Sequence, residues 1–195
     1  MKNIGPPLLP MLRSRVQGDM LALLFLAPER SFSLTDIARQ VGASVRAIHA
    51  EANRFVQAGW LLEERVGNNR MLRADTQTIV AGPLTQLLVV TFGPVPLISA
   101  ALSNLKSIEQ AYVYGSWAAR HQGIPGTIPN DVDLLVIGDV DIDDVLEAVE
   151  DVGTRLRREV NVNRFRSHQW RNPGRNPFLC AVQSRPMVRL NLGIA

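Results

Sequence analysis

The residues best suited to chemistry lie in Asp131-Val132-Asp133, which opens the apolar run Leu134-Leu135-Val136-Ile137. A strand alternates its side chains with a period of two, so both carboxylates project to one face. Neighbouring carboxylates repel unless a cation lies between them. Hard oxygen ligands of this kind suit Mg²⁺, which keeps waters and recruits phosphates. Upstream, Ala111-Tyr112-Val113-Tyr114 has the composition of a strand and is followed by Gly115-Ser116 and a short helical stretch over residues 117–121. A Gly-Ser turn between strand and helix offers backbone N–H groups and a hydroxyl to an anion. Residues 122–130 form a Gly- and Pro-rich loop, so that 14 residues separate Ser116 from Asp131.

A second constellation lies near the other end of the chain. Ser44 is placed to cap a helix over residues 45–58, ended by Gly59. At about 100° per residue, Val45, Ile48, Ala52, Phe55 and Val56 share one face. Arg46, Ala47, Ala50, Asn53 and Arg54 share the other. Small residues between Arg and Asn let such a helix approach a major groove, and Arg and Asn pair with guanine and adenine edges. The same pattern also fits a solvated helix face. Residues 60–66 read as a strand, Gly67-Asn68-Asn69 as a turn and residues 70–74 as the returning strand. Arg65, Arg70 and Arg73 then lie along a hairpin, placed for phosphates.

The elements around these residues follow from periodicity and punctuation. A helix over residues 12–27 carries Leu12, Val16, Met20, Leu23 and Leu24 and stops at Pro28. Ser33 and Asp36 form a capping box for a helix that buries Leu34, Ile37, Ala38 and Val41 and ends at Gly42. That helix and the next, joined by a tight turn, make a helix-turn-helix pattern. With the hairpin, the stretch 12–75 resembles winged-helix regulators of the ArsR and MarR kind, through Leu34-Thr35-Asp36-Ile37-Ala38, Gly42, Ser44 and Ala58-Gly59-Trp60-Leu61. The resemblance implies double-stranded DNA as partner, with Ser44, Arg46, Ala47, Asn53, Arg54, Arg65 and Arg70 as its contacts.

Strand, Gly-Ser, helix, loop, Asp-x-Asp and apolar strand, in that order, resemble the polymerase-beta-like nucleotidyltransferases, especially the minimal ones. The likeness covers residues 95–195, with a loop longer than usual where length is cheap. It implies that Gly115 and Ser116 hold nucleotide phosphates and that Asp131 and Asp133 are the catalytic residues and Mg²⁺ ligands. The family's third carboxylate comes from a later strand, expected over residues 159–165, where Asn161 stands in its place. An amide can ligate a metal but cannot take a proton from an attacking hydroxyl. Glu159 shares a strand face with Asn161 and is the substitute to consider.

Between the two lies a helical linker over residues 77–94. Pro83 starts a helix running to Phe92, Gly93-Pro94 breaks it, and Ile98, Ala101, Leu102 and Leu105 give the next helix an apolar stripe. Residues 87–90 are expected in the core with some dimer contact, because DNA readers of this kind use two half-sites.

Composition sets the class. The chain has 195 residues, 46% hydrophobic and 20% charged, which suits a globular protein with a real core. Charge is unevenly spread: residues 131–153 carry nine acidic and no basic residues, and residues 154–195 carry nine arginines and one acid. Residues 139–151 read as the solvated side of a helix with Val140, Val145, Leu146 and Val149 inside. Arg155, Arg157, Arg158, Arg164, Arg166, Arg171 and Arg175 read either as solvated surface or as a rim facing phosphates or an acidic partner. One cysteine, Cys180, excludes an internal disulfide framework and is expected to pack inside. The apolar run at residues 20–27 is too short to span a membrane, and the prolines and Arg13 after Lys2 do not suit a signal peptide.

The expected architecture is therefore α/β (α+β): a winged helix over 1–76, the linker over 77–94, and a mixed sheet with helices over 95–195. The leading expectation is a cytoplasmic, homodimeric DNA-binding transcriptional regulator whose second domain binds a nucleotide or a partner. The alternatives are an active nucleotidyltransferase targeted by the winged helix, modifying a protein or small molecule, and an antitoxin-like role toward a protein partner.

Overall fold

A computed structural model describes residues 12–193. Lys2 and the prolines that follow it lie outside the described residues. The fold is mixed α+β, with two sheets. Its contacts divide it into two compact units, residues 1–93 and 94–195.

In the first unit, α1 (Arg15–Phe25) is capped by Ser14, whose side chain accepts the Gln17 N–H at 3.3 Å. It buries Met20, Leu21, Leu24 and Phe25. β1 (Phe32–Ser33), which the sequence pattern did not reveal, leads directly into α2 (Leu34–Val41). Ser33 accepts the Asp36 N–H at 3.1 Å, and Gly42 closes the helix in a left-handed conformation. α2 buries Ile37 and Ala38, while Leu34 and Val41 are half-buried. α3 (Val45–Gln57) buries Ile48, Ala52 and Phe55, but Val45, expected on that apolar face, is 46% exposed. Val45 sits in the first turn, beyond the reach of the core that the later turns cover.

β2 (Leu61–Val66) and β3 (Asn69–Ala74) form the expected hairpin, and β1 pairs with β3 on its other edge. Alternation puts Leu61, Leu72 and Ala74 on one face, all buried. Trp60 stacks on Phe55 with ring centroids 5.6 Å apart, joining the hairpin to α3. Residues 77–94 are more than a connector: α4 (Ala81–Phe92) packs on α1 and buries Leu88, Val89 and Phe92.

The second unit begins with α5 (Pro94–Leu102), which ends before Leu105 and buries Ile98 and Leu102. Its four-stranded sheet has the order β6-β5-β4-β7, from β4 (Ile108–Tyr114), β5 (Asp131–Gly138), β6 (Glu159–Phe165) and β7 (Met187–Arg189). β5 and β6 are parallel, and the other pairs are antiparallel. The parallel pair is connected by α7 (Ile142–Leu156), as a crossover requires. α7 buries Val145, Val149 and Val152, but Leu146 is 45% exposed rather than inside. α6 (Gly115–His121), α8 (Ser167–Arg171) and α9 (Pro177–Gln183) complete the unit. Tyr114, Leu135, Ile137 and Val182 form a cluster on one sheet face, with Phe165, Trp170 and Phe178 against it. Cys180 is exposed on α9, on the side away from buried Leu179 and Val182, so it does not serve the core.

The stretch Ala81–Leu102 has the length and apolar composition of a membrane-crossing helix. Gly93-Pro94 divides it into α4 and α5, which bury Leu88, Val89 and Phe92 in the first unit and Ile98 and Leu102 in the second.

Candidate functional site

Strand pairing assembles the acidic site. β4 and β5 pair Tyr114 with Asp133, so Gly115 emerges directly beside that carboxylate. Gly115 has φ +70°, and a Cβ there would stand 2.8 Å from Asp133 Oδ2. Only glycine meets both demands without strain. Ser116 is exposed in the first turn of α6, directly after Gly115.

The parallel register sets Asp131 opposite Glu159 and Asp133 opposite Asn161. Asp131, Asp133, Glu159, Asn161 and Asn163 therefore share one sheet face. Asn161 Nδ2 donates to Asp131 Oδ2 at 3.1 Å. The side chain standing beside the aspartates is thus already a hydrogen-bond donor to one of them. Burial holds the Asp133 carboxyl above its ordinary value, and the charge of Asp131 adds to the shift, while the Asn161 amide acts against it. Tyr114 is raised by burial and then by Asp133, with its hydrogen bond from Asn163 acting against the shift. That bond runs from Asn163 Nδ2 to the Tyr114 hydroxyl oxygen at 3.0 Å. Tyr114 and Asn163 were not among the residues singled out from sequence. The only signal for them was position: Tyr114 precedes Gly115, and Asn163 follows Asn161 by two. Among the described residues, no three His, Cys, Asp or Glu side chains are grouped to hold one metal ion, so Glu159 does not complete a carboxylate triad.

Arg158 departs from both sequence readings of the basic tail, since it is buried. Its Nε donates to the Pro129 carbonyl at 2.6 Å and its Nη1 to the Leu156 carbonyl at 3.0 Å. Its guanidinium lies 5.7 Å from the centre of the Trp117 ring. One side chain thus ties the end of the 122–130 loop to the helix bearing Ser116. Sequence could not reveal this, because three arginines stand within four positions there. Two others of the tail pair with acids, Arg166 with Asp139 at 3.3 Å and Arg171 with Glu109 at 3.4 Å.

The basic residues of the first unit sort into engaged and open ones. Ser44 accepts the Ala47 N–H at 3.2 Å, so its hydroxyl caps α3. Arg54 pairs with Glu51 at 2.8 Å, and Glu51 also accepts from Gln17 at 2.6 Å. Asn53 Oδ1 accepts from Arg70 Nη1 at 2.6 Å, and Arg70 Nε donates to Glu63 Oε2 at 2.6 Å. Arg46 and Arg65 are exposed, and Ala47 is half-buried. Strand alternation sends Arg65 and Arg70 to the face shared with Leu61 and Leu72, and Arg73 to the opposite one. His49, Glu63, Glu64, Arg65 and Arg70 line a cleft of about 290 Å³ between α3 and the hairpin.

Compared with known proteins, the chain matches no family model and no curated protein.

Proposed function

We propose that the chain is a cytoplasmic, homodimeric DNA-binding transcriptional regulator whose C-terminal unit binds a nucleoside triphosphate with Mg²⁺. The observation that carries this reading is the pair of exposed arginines in the first unit, Arg46 on α3 and Arg65 on the hairpin. Arg46 stands one turn before His49 on the exposed side of α3, and His49 borders the cleft that Arg65 and Arg70 line. A duplex laid along α3 would meet Arg46 at the base edges and Arg65 at a phosphate. Exposed Leu87 and Val90 on α4 support a self-association surface.

In the second unit, Mg²⁺ suits the residues present, because it is bound through one or two carboxylates together with substrate phosphates. Asp131 and Asp133 would hold it, and the charge it brings would offset the burial and, after it, the Asp131 charge that raise Asp133. When bound, the cation would neutralise phosphate charge and orient the triphosphate. The Gly115-Ser116 turn would face those phosphates. Asn161 supplies no carboxylate and cannot act as a base, which favours binding over transfer.

Selection of genomic fragments should enrich a sequence, and Arg46→Ala should lower affinity for it by about 1–3 kcal/mol. No enriched sequence, with unchanged affinity in Arg46→Ala, would sink the regulator reading. Sedimentation should give twice the chain mass; a monomer with and without DNA would count against the dimer. Calorimetry with Mg²⁺ and each triphosphate should show binding that Asp131→Asn/Asp133→Asn removes. Pyrophosphate release onto an acceptor, abolished in that double variant, would instead make the chain a nucleotidyltransferase.

A further inference from the structure

Arg65 and Arg70 are direct cross-strand partners on one face of the hairpin. Like charges placed opposite each other destabilise a sheet unless something neutralises them. Glu63, on the same face two residues before Arg65, does so. It takes a hydrogen bond from Arg70 Nε, and a second Arg70 nitrogen pairs with it closely. The Arg70 side chain is only 20% exposed, and its remaining arm reaches Asn53 on α3. One arginine therefore spans from an acid on the hairpin to an amide on the helix. Arg65, by contrast, is exposed and makes no ion pair among the described residues.

Two consequences follow. Reading adenine takes both the oxygen and the nitrogen of an asparagine amide. The Asn53 oxygen is already committed to Arg70, so Asn53 could read a base only by releasing the hairpin. Arg70, in turn, shares its guanidinium with Glu63, so a phosphate that reaches it meets a charge already offset by that carboxylate. A phosphate entering the cleft beside Arg65 competes with Glu63 for the same guanidinium.

We propose that Glu63, Arg70 and Asn53 form a built-in restraint on DNA affinity, with Glu63 discounting one positive charge of the hairpin and Asn53 fixing the hairpin to α3 as a strut. Base reading then falls to Arg46. The inference rests on the DNA-binding reading above.

The full chain is tested against a random-sequence duplex and against the fragment enriched by selection, over a range of salt. Glu63→Gln keeps the size and one acceptor while removing the charge. It should bind random duplex about 3–10-fold more tightly, with a log–log salt slope steeper by about one. Glu29→Gln makes the same charge change away from the cleft lining and should do neither. Asn53→Ala should weaken selected and random duplexes by the same factor, as loss of a strut does. A fall confined to the selected fragment would make Asn53 a base reader and overturn the strut. Wild-type binding with Glu63→Gln unchanged would overturn the restraint and leave the DNA reading standing. Failure of both proteins to bind any duplex would overturn the DNA reading and the restraint with it. In the free protein, Asn53→Ala and Arg70→Gln should be non-additive in thermal unfolding, and strict additivity would overturn the strut whatever DNA does.

Discussion

Replacing Gly115 with alanine tests the acidic site through the glycine that borders it. Two costs can be worked out separately. The backbone at φ +70° is left-handed, which for a residue with a Cβ costs about 1–2 kcal/mol. The new methyl would also stand 2.8 Å from Asp133 Oδ2, closer than a Cβ contact allows, so the carboxylate must move. Because Asp133 is only half-buried, it can give way, and the total loss should stay at about 1–3 kcal/mol. In a unit of this size, each kcal/mol lowers the unfolding midpoint by about 4–8 °C. Gly123→Ala is the matched control, since Gly123 has φ +80° and nothing within 4 Å of an added Cβ. Scanning calorimetry should therefore show both variants destabilised, with Gly115→Ala at least as low as Gly123→Ala. Titration calorimetry with Mg²⁺ and a triphosphate should separate them: Gly115→Ala displaces an aspartate of the site and should lose binding, whereas Gly123→Ala should keep it. A Gly115→Ala protein as stable as wild type, or two variants with the same ligand affinity, would refute the reasoning.

Three further outcomes are expected. Because burial and then Asp131 raise Asp133 above the ordinary carboxyl value of 3.8, the native state holds the carboxyl proton more tightly than the unfolded chain does. The corresponding stability is fully present below that value and is lost as pH rises through the raised one. Asp133→Asn should therefore raise the unfolding midpoint at pH 7 and lose that advantage toward pH 3. A variant less stable than wild type at both would contradict this. Ser44→Ala should destabilise the first unit by about 1 kcal/mol through loss of the α3 cap, without changing the preferred DNA sequence. A changed preference in fragment selection would show that Ser44 reads DNA. Cys180 should titrate with a thiol reagent in the folded protein as fast as after denaturation, and protection in the native state would contradict its exposure.

The sequence by itself determined what depends on near neighbours in the chain. Ser33 and Ser44 cap their helices because a hydroxyl three residues before a free N–H is a local arrangement. Asp131 and Asp133 share a face because strand alternation needs no partner strand to be read. The hairpin around Gly67 and the break at Gly93-Pro94 are legible for the same reason. The tertiary structure decided what depends on which distant segments meet. Pairing of β5 with β6 set Asn161 beside the aspartates and turned its amide toward Asp131, 30 residues away. Packing chose Arg158 from a run of arginines and put it under Trp117, while Val45, Leu146 and Cys180 were left in solvent despite apolar character. The bond from Arg70 to Asn53 joins two elements whose separate patterns both read as DNA contacts. Periodicity states which face a residue occupies; it does not state what stands opposite, and a guanidinium with several donors takes whichever acceptors the fold brings within reach.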